Sequence, residues 1–170
     1  MKKIQLTQGK YAIVDDEDYE IVSKFKWHYI DAYTHRKNGY ARHLLYENGK
    51  PVGFIRMHHL ILPFKNGYMI DHINGDGLDN RRENLRLVTK SQNMINSGAR
   101  KNNTTGYKGV YRMRDKWRVS ISRDRKQHHI GCFKDKLEAI KAYNEAAKTY
   151  HGEYAKLNVI GAHGVGLKQT

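Results

Sequence analysis

Asp71-His72-Ile73-Asn74-Gly75-Asp76-Gly77-Leu78-Asp79-Asn80-Arg81-Arg82-Glu83-Asn84-Leu85-Arg86-Leu87-Val88-Thr89 is the densest run of candidate ligands in the chain. Met69-Ile70 leads into it as a strand, and the polar loop through Gly75 and Gly77 runs to Asn84. Leu85-Arg86-Leu87-Val88 alternates as a second strand. Thr89 with Gln92 three residues on is a capping-box signature, opening a short helix that stops near Gly98. In a strand-loop-strand-helix arrangement the end of the first strand can face the first helical turn. Asp71 and Asn93 then offer two oxygen ligands, suited to a hard divalent cation that keeps several waters. His72, next along the strand, points the other way and is placed to take a proton from an attacking water. A base for water and a cation for charge on phosphate are what phosphodiester cleavage needs. Any one of these residues also suits an ordinary polar turn; the weight lies in the whole string.

Working outward toward the N-terminus, Lys10 to Val14 reads as a short strand followed by the acidic patch Asp15, Asp16, Glu17, Asp18 and Glu20. Apolar runs from Trp27 to Tyr33 and from Tyr40 to Tyr46 flank Asn38-Gly39, a hairpin signal. Asn48-Gly49 repeats it before the run from Val52 to Met57. The first 57 residues are therefore expected to form a small antiparallel meander, and His58-His59-Leu60-Ile61-Leu62 follows, ending at Pro63.

Toward the C-terminus the character changes. Residues 1–98 hold 15 Lys+Arg and 11 Asp+Glu, a net of +4, whereas residues 99–170 hold 16 and 6, a net of +10; together these make the +14 of the whole chain. Between Arg100 and Lys126 there are ten basic and two acidic residues. Such an asymmetry points to a dedicated polyanion-binding module. Three strands are expected (Tyr107–Met113, Trp117–Ser122, His128–Phe133), then a helix capped by Asp135 with Glu138 and ending at His151-Gly152. Leu137, Ile140, Tyr143, Ala147 and Tyr150 form its apolar stripe. Trp117, Val119 and Ile121 alternate with Arg118, Ser120 and Ser122, so the sheet has one apolar and one polar face. Arg118 with Lys108, Arg112, Arg114 and Lys116 makes the polar side a candidate for the major groove, with Tyr111 and His129 adding contacts.

The central string resembles the HNH nuclease motif, in the form found in phage and intron homing endonucleases. The matching positions are Asp71-His72, Asp79-Asn80, Asn84-Leu85-Arg86, Val88-Thr89 and Asn93, with twelve residues from His72 to Asn84 and nine from Asn84 to Asn93. The resemblance implies a ββα-metal fold with His72 as general base. Asp71 and Asn93 would hold one Mg²⁺ (or Mn²⁺), and Asn84 would pin the loop and orient the histidine. Many relatives carry a Cys-based zinc knuckle; with Cys132 as the single cysteine, no structural zinc is expected. His58 aligns with an upstream family histidine and is read as structural, while His59 and Asn96 have no assigned role. Residues 104–158 resemble the AP2 DNA-binding domain of plant transcription factors and phage endonucleases. The matches are Gly106-Tyr107-Lys108-Gly109-Val110, Lys116-Trp117-Arg118, Ile130-Gly131-Cys132-Phe133, Glu138-Ala139, Ala142-Tyr143, Ala146-Ala147 and His151 to Asn158. This implies a sheet in the major groove braced by a helix, with a DNA face of Lys108, Tyr111, Lys116, Arg118, Ser120, Gln127 and His129. Tyr111, Met113 and His129 stand where plant members have Arg or Trp, so the plant target sequence does not carry over.

The expectation is thus an α+β chain in four parts. Residues 1–98 form a nuclease domain with its ββα core at 68–98, and 99–105 a basic linker. Residues 106–158 form an AP2-like domain and 159–170 a loose tail. It would be a site-specific DNA endonuclease of homing type acting on double-stranded DNA as a monomer. The alternative is a DNA-binding regulator with a vestigial site. A nuclease directed at RNA is disfavoured, because A-form grooves do not admit such a sheet. No apolar run reaches the roughly 18 residues of a membrane span, and basic Lys2 and Lys3 lead no apolar stretch. An intracellular, cytoplasmic protein of a bacterial or phage-infected cell is expected.

Overall fold

The structure, a computed structural model, describes residues 1–31, 39–99, 102–124 and 126–160. These form several small antiparallel sheets and four α-helices, and the chain divides into two compact units, Met1–Met94 and Ile95–Thr170.

In the first unit, β1 (Lys2–Gln5) pairs with β2 (Tyr11–Val14), and helix α1 (Asp16–Val22) follows. A second sheet is built from β3 (His28–Ile30), β4 (Tyr40–Glu47) and β5 (Lys50–Arg56) in that order. The expected single meander is therefore corrected to two sheets with a helix between them. The cause is the acidic patch: Asp16, Glu17 and Asp18 occupy the first turn of α1, where negative charge meets the positive end of the helix dipole. Asn48 (φ 50°) and Gly49 (φ 75°) make the β4–β5 turn, the left-handed pair that a tight hairpin demands. Asn38 of the other hairpin signal lies outside the described residues.

Helix α2 (Met57–Ile61) leads to β6 (Met69–His72), which pairs antiparallel with β7 (Leu85–Val88) and is followed by α3 (Lys90–Asn96). The capping box forms as expected. The Thr89 amide donates to Gln92 Oε1 at 2.8 Å, and the Gln92 amide donates back to Thr89 Oγ1 at 3.3 Å. Ile4, Leu6, Val14, Val22, Trp27, Met57, Ile61, Leu78 and Leu85 share one buried cluster, against which Ile70 and Ile55 pack. That core anchors the long loop. The Ile13 amide donates to the Leu78 carbonyl and the Asn80 amide to the Ile13 carbonyl, each at 2.8 Å. Arg82 clamps Asp18 of α1 through Nε (2.9 Å) and Nη2 (2.7 Å). Asp18 is buried, so this two-pronged pairing is what makes its charge tolerable there.

In the second unit, β8 (Val110–Met113), β9 (Lys116–Arg123) and β10 (Lys126–Phe133) form a sheet in the order β10-β9-β8, with α4 (Lys136–His151) after it. Val110, Val119 and Ile121 pack with Ala139, Ile140, Tyr143 and Ala147 of α4. Leu137 is only half-buried and Ala139 takes its place in the stripe. Asp135 caps α4 by accepting from the Glu138 amide at 2.8 Å, and Gly152 closes it. Gly109 (φ +70°) sits so close to the Tyr143 ring and the Ser120 carbonyl that any Cβ would collide; only glycine lets sheet and helix approach there. β8 begins three residues later than expected, because Asn103 Oδ1 accepts from the Thr105 and Gly106 amides and folds that stretch into a turn. Asn158 ties the chain beyond α4 to both layers, bonding the Lys108 backbone at both its amide and carbonyl and exchanging two bonds with Asn144. Residues 161–170 of the expected tail lie outside the described residues. No described helix is long and apolar enough to cross a membrane.

Candidate active site and nucleic-acid interface

The strand β6 delivers adjacent residues to opposite faces. Asp71 is 1 % exposed and stands opposite Arg86 of β7, which donates to Asp71 Oδ2 from Nε and Nη2 at 3.2 Å each. Met69 shares that face by the two-residue period of a strand. Asn93 of α3 lies against it, with Nδ2 3.9 Å from Met69 Sδ. The side chain of Asn93 is therefore beside the face that carries Asp71.

His72 is fully buried on the other face. Its ring centroid is 5.0 Å from that of His58 and 5.9 Å from that of Tyr40, in tilted and edge-on contacts. His58 in turn meets Tyr40 (5.8 Å) and His59 (4.6 Å). Burial and the nearby Arg56 charge hold the His59 imidazole below its usual range. His58 thus packs against His72. Asn96 is buried on α3.

His72 hydrogen-bonds to Asn80, with Nε2 3.4 Å from Oδ1. Asn80 Nδ2 donates to the Leu78 carbonyl (3.2 Å) and the Gly77 carbonyl (3.5 Å), which turns Oδ1 toward the imidazole. An amide oxygen only accepts, so in this bond the neutral ring carries its proton on Nε2 and its lone pair on Nδ1. Asn80 belongs to the quoted string, yet a neighbour-by-neighbour reading assigned it no role. The signal that points to it is its place in the Asp79-Asn80 pair of the motif match.

Asn84 holds the loop at two points: Nδ2 donates to the Asp79 carbonyl at 2.7 Å, and Oδ1 accepts from the Asn74 amide at 3.0 Å. Arg81 forks onto Asp79 through Nε (2.8 Å) and Nη2 (2.7 Å), and this bonding keeps the Asp79 carboxyl below the usual carboxylate range. Gly77 has no room for a side chain, because a Cβ would lie 2.6 Å from Tyr40 Cδ1. The loop therefore closes directly onto the tyrosine ring that touches His72.

As a metal site, Asp71 and Asn93 supply one carboxylate and one amide oxygen. That donor set fits a hard divalent cation retaining most of its waters. Arg86 neutralises the same carboxylate and would have to share it. Among the described residues no three His, Cys, Asp or Glu side chains gather as a metal cage.

On the second unit, strand register sorts the candidate DNA-binding residues. Tyr111 pairs with Arg118, Met113 with Lys116, Ser120 with His129, and Ser122 with Gln127, so Tyr111, Lys116, Arg118, Gln127 and His129 share the open face. A shallow depression there is lined by Tyr111, Arg112, Met113, Arg118, Ser120 and Gln127. Ser120 is buried beneath Gln127, whose Nε2 donates to its Oγ at 2.8 Å. Arg112 stands opposite Trp117 on the helix side, its guanidinium 5.0 Å from that ring. Arg114 lies in the β8–β9 turn with φ 52°. Lys108 is turned inward, its ammonium donating to the carbonyls of Ile95 and Ser97 (2.7 Å to Ser97), and burial pushes its pKa down to about 8.

Comparison with known proteins bears on this geometry. A family model described as HNH endonuclease matches residues 57–95, the span from α2 into α3. Protein 3.8 of Escherichia phage T7 is 34% identical over 96 residues, which is 55% of this chain and 78% of that relative. An uncharacterized HNH endonuclease of Acanthamoeba polyphaga mimivirus is 31% identical over 156 residues, 90% of this chain and 77% of the relative. No solved structure matches. The match across nearly the whole chain, with the family model lying over the strands and helix that carry Asp71, His72, Asn84 and Asn93, means that this protein belongs to the HNH endonuclease family.

Proposed function

We propose that the chain is a site-specific DNA endonuclease of homing type, with His72 at the centre of phosphodiester cleavage and the second unit, AP2-like, as the DNA-reading module. The observation that carries the reading is the pair of opposed faces on β6: a carboxylate beside Asn93 on one, and a histidine oriented by Asn80 on the other. In this mechanism His72 accepts the proton of the attacking water at Nδ1, while Asn80 holds the Nε2 proton and stabilises the imidazolium that results. His72 is fully buried in the free protein, so that water arrives with the substrate. Asn84 keeps the loop shut behind the histidine. Asp71 and Asn93 would hold one Mg²⁺ or Mn²⁺ between them, and when bound it would supply charge for the phosphate and the leaving oxygen.

The three-stranded sheet braced by one helix, with +10 of net charge in residues 99–170, supports a major-groove reader. Its DNA face is Tyr111, Lys116, Arg118, Gln127 and His129, with Arg114 reaching from the turn. Arg112 stacks on Trp117 of that sheet, and the Lys108 ammonium is taken up by the Ile95 and Ser97 carbonyls. The proposed working form is a monomer that nicks double-stranded DNA.

The test is incubation of the purified protein with supercoiled and linear DNA from its own genetic neighbourhood, with Mg²⁺ or with EDTA. Metal-dependent cutting at one place is expected, and His72→Ala should lower the rate by about 10²- to 10⁴-fold while binding stays nearly unchanged. Tight specific binding without cutting under any divalent metal would overturn the nuclease reading in favour of a regulator.

A further inference from the structure

The sheet β3-β4-β5 has one face on the core, through Ala41 and Ile55, and one face away from it. On the outer face Arg42 of β4 stands directly opposite Arg56 of β5. Like charges in that cross-strand relation repel and destabilise a sheet, so a pair of them needs a reason. Neither has an acid to answer it: among the described residues no Asp or Glu forms an ion pair with Arg42 or Arg56, and the Nε of each is buried with no hydrogen-bond partner. What holds them is aromatic. Arg42 lies 5.9 Å and Arg56 5.6 Å from the centroid of Phe54, and Arg56 also lies 5.4 Å from that of Tyr40. Phe54 is 49% exposed, a large apolar ring left open between two guanidiniums. Stacked this way, a guanidinium loses little freedom when it binds and keeps its planar fork of donors.

The patch is continuous with the candidate active site, because Tyr40 touches both Arg56 and His72, and Gly77 of the motif loop closes onto the same ring. Both arginines precede residue 57, where the family match begins. We infer that Arg42 and Arg56 bind the phosphodiester backbone of the substrate DNA beside the phosphate that is cut, holding the strand in line with His72. This rests on the reading of His72 given above. Phosphate is the partner whose chemistry fits: a planar oxyanion edge for each fork, and negative charge for two adjacent cations.

The experiment uses the full chain. DNA binding of His72→Ala, which binds without cutting, is measured against salt with and without Arg42→Gln and Arg56→Gln. Steady-state cleavage is measured with His72 intact. Each single change is expected to reduce the slope of log K against log salt by about 0.9, and the pair by about 1.8. In cleavage, KM should rise by about tenfold while kcat stays within about threefold, the sign of binding shared by ground and transition states. Wild-type protein on DNA carrying neutral methylphosphonates at the linkages flanking the cut should show the same loss of slope, which tests the contact even if a variant folds poorly. Unchanged slopes and KM, in a protein that does cut through His72, would overturn the arginine site and leave the nuclease reading standing. A reduced slope in a protein that never cuts would overturn both the place of these arginines beside a scissile phosphate and the nuclease reading itself.

Discussion

Asn80 shows how one side chain can fix which nitrogen of a histidine carries the proton. Its amide is tied to two carbonyls of its own loop, so its oxygen has a fixed direction and His72 has a fixed tautomer. Asn80→Asp tests this. A carboxylate there favours the imidazolium, and a general base must be neutral to act. The acid limb of the pH–rate profile should therefore move to higher pH, whereas a role confined to packing would lower the rate at every pH alike. Asp79, next to it, gives a second test. Its folded pKa is depressed by Arg81 below the ordinary 3.8, so its contribution is fully present above that value and lost as pH falls through the folded one. The difference in Tm between wild type and Asp79→Asn should be constant above 3.8 and shrink below it. At this scale the string from Asp71 to Asn93 was legible as the densest run of candidate ligands and through its resemblance to the HNH motif. The role of Asn80 was not, since it depends on how the folded loop turns Oδ1 toward His72, and neither was the inward turn of Lys108, which depends on two backbone carbonyls.

Among the elements, α3 is the one on which the site most depends. Seven residues make fewer than two turns, too short to be stable alone in water, and its N-terminal box is what holds it. Thr89→Ala removes one arm of that box and should cost about 1 kcal/mol, measured as a shift in the denaturant midpoint. Because Asn93 rides on the same first turns, the variant should also need more Mg²⁺ for half-maximal cutting; an unchanged metal requirement would separate Asn93 from the cation. The box was readable from Thr89 and Gln92 alone, since capping is a local interaction. Helix α1 was not, although its residues are as polar and as local. Its acids look like a solvated patch until Arg82 is seen to reach Asp18, and that pairing spans 64 residues of chain. Local chemistry announces itself in sequence, and long-range pairing does not. The same holds for the first sheets, where the hairpin signals marked β3, β4 and β5 as neighbours but carried no information that β1 and β2 would form a sheet of their own.

At the scale of the whole molecule, the uneven charge accords with the division of labour proposed above. Ile95 to Gly98 carry no ionised side chain, so the unit Ile95–Thr170 has the same +10 as residues 99–170, against +4 for the rest. A cutting site needs few cations beyond those at the phosphate it handles, whereas a module that finds one site among many must first be drawn to DNA and then discriminate. Arg118, at the centre of the open face between Tyr111 and Cys132, is where those two tasks can be told apart. If its guanidinium meets phosphate, Arg118→Ala should weaken specific and non-specific binding alike and lower the salt slope by about 0.9. If it reads guanine, the slope should hold while the ratio of specific to non-specific affinity falls by about 10- to 100-fold. Competition binding at three salt concentrations distinguishes these outcomes, and an Arg118→Ala protein unchanged in both would move DNA recognition off this sheet. The central strand and the open pocket beside it favour the second outcome, because phosphate contacts gather at the rims of a groove and base edges lie on its floor.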